Sequence, residues 1–253
     1  MTRMLGILAA TACLCLSLSV TLARGDDKDA TPILDKAIAA LGGEAKLAKA
    51  TTFSWKSEGT ISINAEDATI KSKVIASGID RQRSEFALEI NGMPISGVTV
   101  LDRDKGWRKF GEDVQGLEPE PLAITKQTVY LAIVSRTILP LKTPAFKAEA
   151  APDATVDGKP AAVVKATGPD GKPFTLSFDK ATGLLVRMAA TVKGFQGEDT
   201  QDETTFSEYK DFGGIQRATK VVSKRDGNPF TKLTLSDFEV IETPPASTFT
   251  EPS

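Results

Sequence analysis

The chain has 253 residues, with 31 lysines and arginines against 33 aspartates and glutamates, a formal net charge of −2 and no histidine. A balance this close to neutral argues against nucleic acid or an anionic membrane surface as a partner. Without histidine there is no Ser-His-Asp or Cys-His catalysis and none of the usual zinc or copper ligation.

Residues 1–24 read as a cleaved secretory signal: Arg3 precedes an apolar run from Met4 to Leu22 that closes on small residues. A retained membrane anchor needs about 20 unbroken apolar residues, and Ser, Thr and Cys interrupt this run. Cys13 and Cys15 both lie inside it. The mature chain therefore has no disulfide or thiolate chemistry and must be held by packing alone. Export to the periplasm or the medium follows. No linker or charge block divides residues 25–253, which read as one domain.

"ATPILDKAIAALGGEAKLAKA" is the first helical segment, with Thr31 at the N-cap, Pro32 at the first helical position and Leu34, Ala37, Ile38 and Leu41 on one face. Gly42-Gly43 stops it, and a short helical turn through Leu47 follows. From Thr51 the period changes to two. In "FSWKSEGTISI" Phe53, Trp55, Ser57, Gly59, Ile61 and Ile63 share a face, the pattern of a half-buried antiparallel strand. "IKSKVIASG", "RQRSEFALEI" and "PISGVTVLD" continue it, with Arg81, Arg83, Glu85 and Glu89 outward and Ser84, Phe86, Leu88 and Ile90 inward. The meander ends at "EDVQGLEPEP". "LAITKQTVYLAIVSRTILPL" then reads as a helix whose apolar face (Leu122, Val129, Tyr130, Ile133, Val134, Ile138) is too wide for an ordinary surface helix.

After the connection "KTPAFKAEAAPDATV", strands resume around three hairpin signals, Asp157-Gly158, Asp170-Gly171 and Asp226-Gly227. Gly213-Gly214 is a further turn, since Gln216 to Val222 alternates as a strand and offers no helix to cradle a phosphate. Pro244-Pro245 closes the last strand, with Phe249 as a final anchor. The tally is ten to eleven strands. The expected fold class is mainly β (α+β): one strongly curved antiparallel sheet forming an unclosed β-barrel, with the N-terminal helix and the inserted apolar helix covering its concave face.

Candidate chemistry is sparse. Glu198, Asp199, Asp202 and Glu203 offer oxygens but match no calcium loop, and in "DRDKGW" the glycine comes one position early. "SEYK" has Ser-x-x-Lys spacing, which brings side chains together on a helix and sends them to opposite faces of a strand. No metal site follows. The apolar set is more informative. Trp55, Phe86, Leu88, Trp107, Phe110, Tyr130 and Ile133 are candidate cavity-lining residues. Val134, Phe174, Phe178, Met188, Phe206 and Phe238 complete the set. They either line a cavity open to an acyl chain or fill the space against the inserted helix, and apolar patterning does not separate the two.

The order of parts carries a resemblance. A helix ending "ALGG" before "FSWKSEGTI", then "DRDKGW", an inserted helix, "FDKATGLLVRM", "FSEYKDFGGIQRATKVV" and a closing "LSDFEVIETPPASTF" together resemble the LolA/LolB/LppX-like superfamily, the outer-membrane lipoprotein-sorting-like proteins of Gram-negative envelopes. The resemblance implies a half-barrel of about eleven strands whose concave side holds helices and, in the family's carriers, lipoprotein acyl chains. It also implies a non-enzymatic carrier that needs no covalent step and no cofactor; the expected partner is a lipid or acylated lipoprotein, with other envelope proteins as further partners, and a monomer is expected. Two features depart from the pattern: Ala218 stands where proline commonly follows the "GI" step, and the insert is a single helical run. The barrel arginine that closes the lid in family carriers is not placed by any motif, and Arg81, Arg83, Arg187 and Arg217 all stay open. The rival readings are an envelope protein–protein interaction module with a filled core and a hydrolase using paired carboxylates.

Overall fold

The computed structural model describes residues 28–63, 66–90, 92–194 and 196–253. The signal read over residues 1–24 and both cysteines lie outside them. Helix α1 (Thr31–Ala40) leads into α2 (Glu44–Lys49), and a first meander follows: β1 (Thr52–Ile63), β2 (Glu66–Ser77), β3 (Arg81–Ile90), β4 (Met93–Asp102), β5 (Lys105–Phe110) and β6 (Asp113–Gly116). Helix α3 (Pro119–Thr137) separates it from a second: β7 (Lys147–Val156), β8 (Lys159–Thr167), β9 (Pro173–Asp179), β10 (Leu185–Lys193), β11 (Asp199–Phe212), β12 (Ile215–Arg225) and β13 (Asn228–Val240).

All thirteen strands form one antiparallel sheet in the order β6-β5-β4-β3-β2-β1-β13-β12-β11-β10-β9-β8-β7. The first and last strands pair at its centre, so each meander runs outward to a free edge. Because β6 and β7 do not pair with each other, the barrel is unclosed. The strand count exceeds the sequence expectation mainly at those edges. β6 has only four residues, and β7 lies in the stretch read as a connection, where Pro152 falls within a register shift between Ala151 and Ala154. Proline is tolerated at an edge or bulge and masks the period-two pattern there.

α1 begins one residue earlier than expected. Ala30 is the cap, Thr31 is the first helical residue and no side chain caps the helix. Instead Asp29 Oδ1 accepts the Thr31 amide at 2.9 Å. Gly42, at φ +121°, lies where a Cβ would come within 2.3 Å of the Gly214 carbonyl oxygen, and the Gln216 amide donates to Leu41 O at 2.9 Å. The Gly-Gly stop of α1 and the Gly213-Gly214 hairpin turn thus press backbone against backbone, an approach only glycine permits. β11 runs on to Phe212 and β12 starts at Ile215, so the turn is confined to Gly213-Gly214.

α3 crosses the concave face and divides the core. On one side Leu131, Val134 and Ile138 pack with Leu34 and Ile38 of α1 and with Val164, Leu176 and Phe178 of the second meander. On the other, Val129 and Ile133 pack with Phe53, Trp55, Val74, Leu101 and Leu235. Both flanks of the helix are therefore buried, as its wide apolar face requires. Its buried polar side chains are bonded: Gln127 Nε2 donates to Thr191 O at 2.9 Å and Thr125 Oγ1 to Pro121 O at 2.8 Å.

Candidate functional site

Reading residues across the pairing registers assigns each strand position to a face. Directly opposed residues share a face, and the face bearing Trp55 is the one α3 packs on. On it, Phe53, Ala76, Gln82 and Leu101 form one row, and Trp55, Val74, Ser84 and Thr99 the next. α3 covers these two. Three further rows run past it: Ser57, Ser72, Phe86, Gly97 and Phe110; Gly59, Ile70, Leu88 and Ile95; Ile61, Ala68, Ile90 and Met93. Here the floor is mostly apolar and open on its β3–β5 side, with Met93 63%, Phe110 46% and Ile95 40% exposed, while Ser57 and Ala68 on β1 and β2 are buried. Phe86 and Phe110 meet edge to face at 5.9 Å. Phe86 lies over Gly97, where a Cβ would come within 2.7 Å of its ring. The result is a contiguous apolar shelf beside the helix.

The thirteen residues singled out from sequence separate into groups. Trp55, Tyr130, Ile133, Val134, Phe174, Phe178, Met188 and Phe206 are all buried in the packed space beneath or beside α3. Tyr130 there packs against Phe146 and Phe174 and donates to Asp170 Oδ1 at 2.9 Å, and burial, followed by the Asp170 bond, raises the pKa of its hydroxyl. Phe86, Leu88 and Phe110 lie on the shelf. Phe238 packs beneath a buried arginine, described below. Trp107 does not join them: it opposes Val100 and faces the other side of the sheet, because it stands three residues from Phe110 in β5 and an odd separation puts two side chains on opposite faces. On that outer side the segment after β13 crosses β3 and β4, burying Phe249 against Arg81.

Sequence reading missed the most unusual group. Of the four arginines left open, Arg81 and Arg83 share the outer face with Glu85, and Arg187 pairs with Glu203. Arg217 faces α3. It is 4% exposed, and its Nη1 donates to the backbone oxygen of Arg136, on the last turn of α3, at 2.5 Å. It lies 4.8 Å from the Phe53 ring and 5.9 Å from that of Phe238. Arg136 lies 4.2 Å over Trp55, donates to Ala132 O at 2.7 Å, and leaves its buried Nε without a hydrogen-bond partner. Among the described residues neither guanidinium has a carboxylate within ion-pair distance. Burial pushes Arg217 down to about 10; burial and then the Arg217 charge push Arg136 down to about 9. Tyr209 beside them donates to Leu185 O at 2.7 Å. The signal for Arg136 was in the sequence: it sits on a helix read as mostly apolar, with Ala132, Ile133, Leu139 and Pro140 at the helical neighbour spacings and no acid among them.

Between Arg136 and Arg217 the space is nearly filled, while a groove of about 240 Å³ borders the other side of Arg217 at Phe53, Phe212, Ile215 and Phe238. The cavity bordered by Ser135, Arg136, Tyr209, Gln216, Arg217 and Phe238 holds about 10 Å³, no more than one water. Immediately after Arg136 and Thr137, Ile138 takes a left-handed conformation at φ +60° while fully buried. For a β-branched residue this is strain of the order of 1–3 kcal/mol, placed where α3 joins the chain.

Larger grooves lie elsewhere, but their chemistry is different. One of about 460 Å³ runs between the sheet's outer face and the C-terminal segment, and one of about 500 Å³ continues from it; Lys73 and Glu85 line both. These are solvated charged walls. The acid-rich stretch of β11 does not gather: Asp199 pairs with Lys193, Asp202 with Arg225 and Glu203 with Arg187. Among the described residues no group of three potential metal ligands forms, and no helix is long and apolar enough to cross a membrane.

No protein-family model matches the chain, and no curated protein matches it by sequence. Solved structures do. A LolA superfamily protein from Nitrosomonas europaea superposes with a TM-score of 0.60 at 13% identity, covering 88% of this chain and 97% of that one. A putative outer membrane lipoprotein-sorting protein domain from Vibrio parahaemolyticus gives 0.56 at 14% identity, covering 85% and 97%. A DUF1329 family protein from Desulfovibrio piger gives 0.56 at 13%, covering 89% and 98%. The chain thus has the LolA-like fold.

Proposed function

We propose that the chain is an exported, monomeric, non-enzymatic carrier, with residues 25–253 as one domain after loss of the signal, that binds the acyl chain of a lipid or lipoprotein on its concave face. The observation that carries this reading is the uncovered apolar shelf beside α3, with Phe86, Leu88, Ile95 and Phe110 on its floor. That a structure of the same fold is named for lipoprotein sorting supports it. Binding then works by sequestration: the shelf replaces water around methylenes, each contributing about 0.8 kcal/mol when buried.

Magnitudes favour the shelf over the space beneath the helix. Lifting α3 exposes Val129, Tyr130, Ile133 and Val134, now at most 3% exposed; at roughly 1.5–3 kcal/mol each, this costs on the order of 10 kcal/mol. A long acyl chain offsets that only if nearly all of it is buried. A chain on the shelf, with α3 shifting at its strained Ile138 junction, needs far less. Arg217, bonded to the last turn of α3 from the barrel wall, takes the part of the lid-closing arginine in this account.

The test is uptake of a fluorescent fatty acid by the purified mature chain, together with native mass spectrometry for co-purified lipid. Ile95→Asp and Leu88→Asp should lose binding while melting within a few degrees of wild type. No lipid and no uptake by the unmutated chain sinks the proposal. The near-filled space around Arg136 and Arg217 favours a second reading, an envelope interaction module working through its outer face; there, shelf substitutions leave function intact and outer-face substitutions abolish it.

A further inference from the structure

Two guanidiniums with no carboxylate partner among the described residues, set side by side in a packed interior, are an arrangement a folded chain seldom keeps without a use. Arg217 is 4% exposed, and Arg136 leaves a buried Nε unbonded. The surrounding groups do not neutralise them. Tyr209 and Ser135 spend their hydroxyl protons on Leu185 O and Ala132 O; the Gln216 amide turns to Asp211. What they share is contact with aromatic faces, Trp55 under Arg136 and Phe53 under Arg217, which tolerates a cation and supplies no counter-charge. Planar guanidiniums are suited to carboxylate and phosphate oxygens.

Arg136 also stands at the head of the shelf, over Trp55, with Arg217 one row behind it over Phe53. Trp55 lies in the row next to that of Ser57, Ser72 and Phe86. Two residues along the strand and two strands across, Phe86 is about 12 Å away. We infer that Arg136 and Arg217 receive the anionic end, carboxylate or phosphate monoester, of a single-chain amphiphile whose tail lies along the Phe86, Leu88 and Ile95 shelf. This rests on the carrier reading and adds the chemistry of the ligand's head. The 10 Å³ cavity between the arginines and Tyr209 opens by a shift of the last turn of α3, next to the strained Ile138.

Trp55 is a reporter at the site, and the chain's other tryptophan, Trp107, is on the far face. In a Trp107→Phe background, Trp55 fluorescence is titrated with palmitate, hexadecyl phosphate, hexadecanol, sodium acetate and inorganic phosphate. Palmitate or hexadecyl phosphate should bind at least about tenfold more tightly than hexadecanol. Whichever of the two binds more tightly identifies the head group. Arg136→Met should remove that preference by weakening the binding of palmitate and hexadecyl phosphate, and should melt within a few degrees of the parent, since the lost Ala132 O bond and Trp55 contact are offset by removal of a buried charge. Equal affinity for palmitate, hexadecyl phosphate and hexadecanol overturns the inference and leaves the carrier reading standing; binding of none of the three overturns both. Acetate or inorganic phosphate binding as tightly as the long-chain anions also overturns it, leaving a small-anion site. The head-group comparison is made with both arginines intact and does not depend on how the variant folds.

Discussion

Replacing Arg217 by methionine separates a lid fastening from an ordinary core anchor. The variant loses the 2.5 Å bond from Nη1 to Arg136 O and the contacts with the rings of Phe53 and Phe238. A charge-assisted hydrogen bond contributes about 1.5–3 kcal/mol and a desolvated cation–ring contact about 2 kcal/mol, so the loss is on the order of 4 kcal/mol. Against this stands the cost of the buried charge. Burial lowers the pKa of Arg217 from 12.5 to about 10, which weighs roughly 3 kcal/mol against the charged form. Because the folded pKa is the lower one, that cost is present at every pH below about 10 and disappears with the charge. Methionine keeps much of the apolar stem volume. The net loss is about 1 kcal/mol, or a melting temperature lower by about 2–4 °C. It should be local, since Arg136 O is one of the C-terminal carbonyls of α3 that find no partner within the helix. Urea denaturation gives the global term. Hydrogen exchange should show faster exchange across the last turns of α3 with β9 and β10 unchanged. A global loss above about 3 kcal/mol, the range for breaking a buried ion pair, or unaltered protection of α3, would show that Arg217 is a core anchor and not a lid fastening.

Gly42→Ala places a Cβ 2.3 Å from Gly214 O at φ +121°, so it should destabilise by about 3 kcal/mol or more in urea denaturation. Gly43→Ala, with nothing within 4 Å of its Cβ and φ +91°, ψ 154°, should cost only the backbone term of about 1–3 kcal/mol. Asp179 accepts hydrogen bonds from the amides of Thr182 and Ala181 in the β9–β10 turn, the Thr182 amide contributing most to holding its pKa below 3.8. Asp179→Ala should lose about 1–2 kcal/mol at neutral pH. A carboxylate with a lowered folded pKa stabilises above its unfolded value and ceases to as pH falls through the folded one. The gap to wild type should therefore close below pH 3.8, and a gap constant from pH 7 to pH 2 would contradict this.

What the sequence disclosed follows from which forces leave a local imprint. Half-buried strands advertise themselves by alternation, and Phe53, Trp55 and Ile61 or Phe86, Leu88 and Ile90 fell on the faces expected of them. The helix with both flanks buried was legible from its wide apolar face. Edges were not. β7 carries Pro152 within a register shift, and β6 is too short to alternate. For the candidate site, periodicity told which residues face inward but not which of them α3 covers, so Phe178, sealed in the core, and Phe110, 46% exposed, read alike. Coverage is a property of where α3 lies, set by contacts between distant segments. The arginine pair escaped for the same reason, since Arg217 finds a backbone oxygen 81 residues away rather than an acid nearby.

The most direct test of the account is to locate a bound acyl chain. A stearic acid carrying a nitroxide midway along its tail is added to the methyl-labelled mature chain, and paramagnetic broadening is read residue by residue. The strongest broadening is expected at Ile70, Leu88 and Ile95 on the shelf, and clearly weaker broadening at Val98, whose partner Glu85 places it on the outer face, one sheet thickness farther from the spin label. Broadening centred on Val98, or no broadening at saturating ligand, would contradict the account.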